Sequence, residues 1–229
     1  MVFCGITFGE GQNPEKFSMG LGFSYLGTTR NTENRNFGLD FNFKKPFCLW
    51  AIEGGLYYIR VEEKDVLNSE RYRANLKGIR SLTSKLDYFL MLDWERDKFS
   101  GFENRSSIST GIGYKILSSE KDFLSGEAGI SYIKEEYVSS EKEDYLAGLF
   151  GIKYIHNWTE KSKFQQKIVY IPNFEEGSKW RGESETSAQA SLTDRMALKF
   201  SFLLRYQNEP LEGFKKTDTI TALSLVLNF

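Results

Sequence analysis

The 229-residue sequence predicts an all-β protein, a closed antiparallel up-and-down transmembrane β-barrel of about twelve strands. Three observations support this fold class. Apolar residues recur at every second position in segment after segment, which is the periodicity of a β-strand with one apolar face. Long polar connections alternate with short turns, as in barrels of the outer membrane. The final segment, residues 219–229, repeats the alternation and ends on an aromatic residue.

The final segment predicts how the protein is recognised during assembly. Its apolar face and its last aromatic ring consist of Leu223, Leu225, Leu227 and Phe229. A terminal strand of this kind resembles the signal that the outer-membrane barrel assembly machinery recognises. We therefore expect that machinery as a partner, and outer-membrane lipid and lipopolysaccharide as the surroundings.

The first six strands follow from apolar side chains at alternate positions. Strand one covers about residues 16–27 and strand two about residues 35–45, before a short turn at Pro46. We expect the apolar side chains to face lipid. They are Phe17, Met19, Leu21, Phe23 and Tyr25; Phe37, Leu39, Phe41 and Phe43; Trp50, Ile52, Leu56 and Tyr58; Tyr72, Ala74 and Leu76; Tyr88, Leu90, Leu92 and Trp94; and Ile108, Ile112, Tyr114 and Ile116.

Five further strands precede the final segment. The tenth, about residues 181–192, has the weakest alternation. The charged segments 62–68 and 135–144 are predicted as external loops, and both termini are predicted in the periplasm. The apolar side chains of strands seven to eleven are Leu124, Ala128, Ile130 and Tyr132; Leu146, Phe150, Ile152 and Tyr154; Phe164, Ile168 and Tyr170; Ala188, Ala190 and Leu192; and Met196, Leu198, Phe200, Phe202, Leu204 and Tyr206.

Residues 16–229 are assigned to the barrel, and residues 1–15 to a periplasmic amino-terminal tail or the remnant of a signal segment. Cys4 and Cys48 both map to the periplasmic end, on the tail and on the turn between strands two and three. A disulfide is chemically permitted in that compartment, so these two cysteines are a candidate pair.

Composition is compatible with this interpretation and excludes others. The net charge of −1 gives no basic footprint for nucleic acid. The mean hydropathy of −0.43 is that of a soluble protein, but a transmembrane barrel places apolar residues only at alternate positions. A soluble sandwich or a lipocalin-like barrel would also alternate. Large aromatic residues on the apolar face, and glycine, serine and charges on the other, favour the membrane barrel.

The face opposite the apolar side chains carries charges of both signs. Folding neighbouring strands about their turns predicts facing pairs, with Asn75 near Asp93. The predicted lumen charge pairs are Arg73 with Glu95, Arg71 with Asp97, Asp97 with Arg105, Glu127 with Lys153, Lys167 with Glu185, and Glu183 with Arg205. These pairs either stabilise a polar lumen or form a charged constriction that selects solutes.

The sequence predicts no catalytic residues, no metal site and no cofactor. The one histidine, His156, maps to the periplasmic end beside Trp158, and a single histidine with two separated cysteines makes no zinc site. An acidic loop could bind divalent cations or bridge lipopolysaccharide, but its pattern favours solvated loop charge. Its members are Glu135, Glu136, Glu141, Glu143 and Asp144.

Four segments resemble a known bacterial family: residues 70–77, 94–105, 111–114 and 208–219. It is the domain-of-unknown-function family 481, whose members are labelled salt-induced outer-membrane proteins. The resemblance implies an outer-membrane barrel of a didermic bacterium and supplies no catalytic residue. We expect a non-enzymatic structural component of the envelope or a narrow pore with a charged lumen. The alternative is a membrane anchor or accessory subunit of a larger outer-membrane complex.

Overall fold

In the computed structural model, which describes residues 17–28, 34–63 and 66–229, twelve antiparallel strands form one closed barrel. Each strand pairs with its neighbours in the chain, and the last pairs with the first, so the predicted fold class is confirmed. The strands are β1 Ser18–Thr28, β2 Asn34–Pro46, β3 Trp50–Glu63, β4 Val66–Ser81, β5 Leu86–Asp97, β6 Phe102–Ser118, β7 Asp122–Tyr137, β8 Lys142–Thr159, β9 Ser162–Pro172, β10 Trp180–Ser191, β11 Met196–Gln207 and β12 Thr217–Asn228.

Closure joins β1 to β12. The register sets Gly20 opposite Asn228 and Phe23 opposite Leu225. Beyond the last strand pair, Met19 and Phe229 exchange two backbone hydrogen bonds of 3.2 and 2.9 Å. The carboxyl-terminal residue is therefore part of the seam, and closure leaves no unpaired sheet edge between these two strands.

Side chains alternate between an apolar outer face and a lumen face. Two neighbours on β5 show the contrast, because Phe89 is 1% exposed whereas Leu90 is 46% exposed. On β12, Leu223, Leu225 and Phe229 are exposed on the outer face, while Ser224 and Val226 are buried on the other. The outer face is the one suited to hydrocarbon.

The two ends of the barrel differ in their connections. The end at which β1 begins, here called the turn end, has the connections 47–49, 82–85, 119–121, 160–161 and 192–195. The opposite end, called the loop end, has the longest connections, residues 173–179 and 208–216. It also holds the 3₁₀ helix Lys98–Ser100 between β5 and β6. Nowhere in the described ranges is a helix both long and apolar enough to cross a membrane.

Several strands continue further into water at the loop end than their sequence indicates. Most of the predicted loop 62–68 belongs to strands, because β3 extends to Glu63 and β4 begins at Val66. The predicted loop 135–144 shrinks to residues 138–141. Charge alone marked these segments as loops. The backbone ladder continues past the apolar belt because charged side chains are solvated there while the strands keep pairing.

Aromatic side chains cluster on the outer face at the loop end. Trp180 lies between Tyr170 and Tyr206, with ring centroids 5.6 and 4.9 Å away. Tyr58 and Tyr72 form a similar contact at 4.9 Å on the β3–β4 pair. Such rings mark the interface between hydrocarbon and water.

Candidate functional site

The neighbouring strands β4 and β5 bring a first group of charged lumen side chains together in the loop-end half. Register places Arg71 opposite Asp97 and Arg73 opposite Glu95. The ion pairs form on the diagonal instead, since Arg71 Nε lies 2.9 Å from Glu95 and Arg73 Nε lies 3.0 Å from Asp93. Diagonal neighbours remain within reach of long side chains, so each arginine has more than one available carboxylate.

Arg205 on β11 crosses the lumen. Its guanidinium donates to Asp97 at 2.8 Å and to Glu95 at 2.6 Å, both on β5. Strand β11 is six places from β5 in a ring of twelve, so the two strands are on opposite walls. Two hydrogen bonds from the planar Arg205 guanidinium link these two walls at this level.

Glu183 on β10 makes the second crossing. It accepts a hydrogen bond of 3.1 Å from Arg73 and lies 3.8 Å from Arg71, both on β4, which is again the opposite wall. Arg205 Nε lies 3.5 Å from the same carboxylate. Two independent strand pairs are therefore bridged across the barrel.

Glu135 on β7 accepts from two arginines and two tyrosines. Arg105 and Arg181 donate to its Oε1 at 2.6 and 2.9 Å, and the Tyr145 hydroxyl donates to the same oxygen at 3.0 Å. The Tyr137 hydroxyl donates to Oε2 at 2.8 Å. This carboxylate is thus held in a ready-made anion site built by β6, β7, β8 and β10.

We call the combined set the plug. It holds five arginines and five carboxylates, so its formal charges balance. Its members are Arg71, Arg73, Arg105, Arg181 and Arg205 with Asp93, Glu95, Asp97, Glu135 and Glu183. Glu95 and Asp97 are each only 3% exposed. Isolated charges at that burial would be very costly, and pairing on every side offsets the cost.

Arg71 is the least satisfied member of the plug. It is 6% exposed, and its Nε and Nη2 have no well-oriented hydrogen-bond acceptor among the described residues. The 2.9 Å approach to Glu95 is therefore an ion pair without good hydrogen-bond geometry. Its charge is stabilised by the surrounding carboxylates more than by a directed bond.

Two connections meet over the plug at the mouth of the barrel. Gly101 adopts a left-handed φ of 92°, and a Cβ there would lie 2.9 Å from Leu211 of the 208–216 connection. The Ser100 hydroxyl contacts Asp97 at 2.8 Å and Asp218 at 3.1 Å, which links β5 to β12. Glycine is favoured here by its left-handed backbone angle, and a larger residue would also displace the Leu211 side chain.

A cavity of about 230 Å³ lies beside the plug at the loop end. Lys179 stands on its rim, where it donates to Glu143 at 2.9 Å and to Glu176 at 3.1 Å. Partial burial lowers the pKa of Lys179, but these hydrogen bonds raise it more, so the pKa lies above its ordinary value. The cavity wall includes Arg105, Glu135, Tyr137, Tyr145 and Arg181.

The turn-end half of the lumen is wetter than the plug. Lys44 and Glu53 pair at 2.7 Å with side chains 38% and 36% exposed. Lys77 reaches Glu127 at 2.5 Å, from β4 to β7. Lys44 and Glu53 are therefore far more exposed than Glu95 and Asp97 of the plug.

Two of the predicted facing pairs need correction. Arg105 lies opposite Glu95, because a β-bulge between Glu95 and Asp97 moves Asp97 opposite Phe102. Glu127 does not face Lys153; it lies opposite Gly151 and pairs with Lys77.

Glu185 faces its predicted partner but forms its ion pair with another lysine. Lys167 is its register partner on β9, but Glu185 forms its ion pair with Lys199 on β11, at 3.2 Å. Register opposition alone does not decide which lysine the carboxylate takes. Of the other predicted pairs, Glu183 and Arg205 lie directly opposite each other and also approach to 3.5 Å.

Sequence reasoning missed Glu135, Arg181, Tyr137 and Tyr145 as lumen residues. Glu135 was assigned to an acidic loop on the strength of its neighbours. Its position in the alternation held the signal, because Ser131, Ile133, Glu135 and Tyr137 are in phase and all buried. Following the alternation of side chains through the charged segment would have placed Glu135 on the lumen face.

The remaining candidates lie away from the plug. Cys48 is exposed in the 47–49 connection, while Cys4 lies outside the described residues, so their pairing stays a prediction. His156 Nδ1 lies 2.7 Å from Asp122 at the turn end, and Tyr154 donates to the same oxygen at 2.7 Å. Across the described ranges, no group of histidine, cysteine, aspartate and glutamate is arranged to hold a metal ion.

A closed twelve-stranded barrel with an apolar outside and an ion-paired inside is the architecture of an outer-membrane β-barrel protein. The chain belongs to the family described as protein of unknown function, DUF481, whose profile matches residues 21–229. It is similar to the uncharacterized protein YdiY of Escherichia coli (strain K12), with 23% identity over 212 residues, covering 91% of this chain and 82% of that protein.

Solved structures share the fold at low identity. An outer membrane channel from Pseudomonas putida F1 superposes with a TM-score of 0.56 at 10% identity, covering 96% of this chain and 98% of the channel. The NanC porin superposes with a TM-score of 0.53 at 7% identity, covering 93% of this chain and 98% of the porin. These similarities establish the architecture.

Proposed function

We propose that this protein is a non-enzymatic barrel of the bacterial outer membrane that forms a narrow, charge-lined pore, closed at the loop end by the plug. The observation that carries the proposal is the bridge from Arg205 to Asp97 and Glu95 on the opposite wall. The bridge crosses the lumen at one level, while the side chains of Lys44 and Glu53 in the turn-end half are more than a third exposed. Similarity in fold to a porin and a channel supports the same assignment.

We place the loop end outside the cell and both termini in the periplasm. Longer connections face the exterior in barrels of this class, and the longest two lie at the loop end. The outer face would contact outer-membrane lipid, with lipopolysaccharide at the loop-end rim. The seam strand with Leu223, Leu225, Leu227 and Phe229 would be presented to the barrel assembly machinery.

Conductance in planar bilayers tests the pore. Wild-type protein is expected to be silent for long periods with rare brief openings. The quadruple variant Arg73→Ala/Glu95→Ala/Glu183→Ala/Arg205→Ala removes both bridges and two charges of each sign from the plug, and we expect it to give steady openings. A matched control is Arg60→Ala/Glu62→Ala, which removes an exposed ion pair outside the plug and should leave the record silent.

The decisive outcome concerns the quadruple variant. If it folds into a heat-modifiable barrel in detergent and still conducts nothing, the pore assignment is wrong. The protein would then be a structural component of the envelope, with a lumen filled for stability alone.

A further inference from the structure

Every charged residue that crosses the lumen in the plug also has a partner on its own wall. The two walls are the strand pairs β4–β5 and β10–β11, which lie opposite each other in the ring of twelve strands. Contacts within each wall therefore compete with the bonds across the lumen. The crossing residues are Arg73, Glu95 and Asp97 on the first wall, with Glu183 and Arg205 on the second.

On the β10–β11 wall, Arg205 and Glu183 are partners of each other. They lie directly opposite in register, and Arg205 Nε lies 3.5 Å from the Glu183 carboxylate. The two bonds that Arg205 donates across the lumen use its Nη1 and Nη2 atoms instead. Its Nε is therefore available to Glu183 without any change of strand register.

On the β4–β5 wall, two of the crossing residues already make contacts that stay within the wall. Arg73 Nε donates to Asp93 at 3.0 Å, while its Nη1 donates across the lumen to Glu183. Asp97 accepts from the backbone N–H of Ser100 at 3.1 Å and from its hydroxyl at 2.8 Å. Both residues would therefore keep a partner if the bonds across the lumen broke.

Arg71 is the partner of Glu95 within the β4–β5 wall. Its Nε lies 2.9 Å from the Glu95 carboxylate, but Nε and Nη2 have no well-oriented acceptor among the described residues. These two nitrogens share one edge of the guanidinium, and such an edge can hold both oxygens of a carboxylate. Arg105, which lies 3.8 Å from Glu95, donates to Glu135 instead. Arg71 therefore has the unused hydrogen-bonding capacity that Glu95 needs once it releases Arg205.

We infer that the plug opens by an exchange of partners, in which Glu95 leaves Arg205 and forms a bidentate bond with Arg71. Arg205 turns to Glu183 in the same step, so the bonds across the lumen are replaced by bonds within each wall. Each crossing residue keeps a partner in the open lumen, which avoids the cost of leaving a buried charge unpaired. This inference rests on the proposed pore, because an opening can be measured only if the lumen conducts.

Single-channel recording of Arg71→Lys in planar bilayers tests the exchange. Lysine keeps the positive charge that the closed plug contains, but it lacks the planar fork that holds both oxygens of Glu95. The fraction of time that the channel spends open should therefore fall several-fold below that of the wild type. Arg71→Met removes the charge as well and should lower the open fraction about tenfold or more, as expected for loss of a charge-assisted hydrogen bond.

Asp97→Asn should change the open fraction in the opposite direction. It weakens a bond that Arg205 donates across the lumen, while the side-chain oxygen that remains can still accept from Ser100. The open fraction should therefore rise above that of the wild type. If the plug only filled the lumen, substitution of either Arg71 or Asp97 would loosen it, and both variants would open more often.

Arg96→Met is the matched control for Arg71→Met. It removes an arginine that pairs with Glu103 at 2.6 Å, outside the plug, and whose side chain is 40% exposed. The open fraction of this variant should equal that of the wild type. Heat-modifiable migration in gels shows that each variant has folded, and if one Arg71 variant does not fold, the other supports the same comparison with Asp97→Asn.

The outcomes separate the exchange from the pore itself. An open fraction of Arg71→Lys or Arg71→Met that equals or exceeds the wild-type value would overturn the exchange. The exchange would also be wrong if the quadruple variant conducted while the wild type and Asp97→Asn never opened. Silence of the quadruple variant would instead remove the proposed pore.

Discussion

Arg205 on β11 donates a hydrogen bond of 2.8 Å to Asp97 on β5, across the full width of the barrel lumen. Ion pairs between adjacent strands line a wall, but this one spans the interior. A second bridge, from Arg73 to Glu183, joins another two opposite strands. The loop-end half of the lumen is therefore crossed by charged side chains that bury and pair with one another.

Removal of Arg205 should destabilise the barrel strongly. Arg205→Ala leaves Glu95 and Asp97 buried without their main partner, and breaking a buried ion pair in this way costs about 3–5 kcal/mol. The free energy of unfolding, measured by urea titration in detergent micelles, should fall by that order. Arg205→Lys should recover part of the loss, because lysine keeps the charge but not the planar fork.

The control for this loss is an exposed arginine. Arg60→Ala removes a partner of Glu62 at the surface, where such pairs contribute roughly 0–1 kcal/mol. Equal losses for Arg60→Ala and Arg205→Ala would show that the bridge is not a buried ion pair in the folded protein.

Glu135 should behave as an internal ligand of the site that surrounds it. Glu135→Ala leaves Arg105, Arg181 and two tyrosine hydroxyls facing a gap the size of a carboxylate. Formate added to this variant should raise its melting temperature clearly more than it raises that of the wild type. Sodium chloride at the same ionic strength should have a smaller effect, because chloride lacks the two oxygens with which a carboxylate matches these donors.

Glu143→Ala is the matched variant for this test. Glu143 accepts from Lys179 at the rim of the cavity, where solvent can replace it. Formate should not rescue Glu143→Ala selectively. An identical response of the two variants would mean that formate acts on the barrel as a whole, and the internal-ligand interpretation would be wrong.

Gly101 should be required for closure of the mouth. Gly101→Ala forces an alanine into a left-handed φ at a cost of about 1–2 kcal/mol and brings its Cβ within 2.9 Å of Leu211. Contact with the 208–216 connection should loosen. Limited trypsin digestion at Lys215 and Lys216 should therefore become several times faster.

Gly177→Ala provides the control for Gly101→Ala. Gly177 also lies in a loop-end connection, but no atom lies within 4 Å of a Cβ built there. Its substitution should leave the digestion rate at Lys215 unchanged. Faster digestion of both variants would point to general loosening of the loop end.

The fold could be predicted from the sequence because a barrel repeats one simple rule. Alternation at period two fixes which side chains face outward, as Leu90 and Phe89 illustrate. Chain order then fixes the neighbours, since every strand pairs with the next and the last with the first. Local periodicity was sufficient for both.

The plug could be predicted only in part, since its contacts depend on the cross-section of the barrel. Folding adjacent strands found Arg73 opposite Glu95, yet the side chains pair diagonally and across the lumen. No local pattern indicates that Arg205 reaches the wall six strands away. The bulge beside Asp97 also shifts the register by an amount that alternation does not encode.

The orientation of the barrel can be tested by labelling. In a background with Cys4→Ser and Cys48→Ser, Ser139→Cys places a thiol in the exposed loop-end connection and Thr193→Cys places one in an exposed turn-end connection. A membrane-impermeant maleimide should label the Ser139→Cys protein in intact cells. It should label Thr193→Cys only after the outer membrane is permeabilised, because the proposed periplasmic face is shielded.

The two thiols serve as each other's controls, since both lie in exposed connections and differ only in the end they occupy. The reverse pattern would place the loop end in the periplasm. In that case the turn-end half of the lumen would open to the exterior, and the plug would lie on the periplasmic side. Labelling of both thiols in intact cells would show that the barrel does not separate the two compartments, which would remove the outer-membrane topology on which the pore depends.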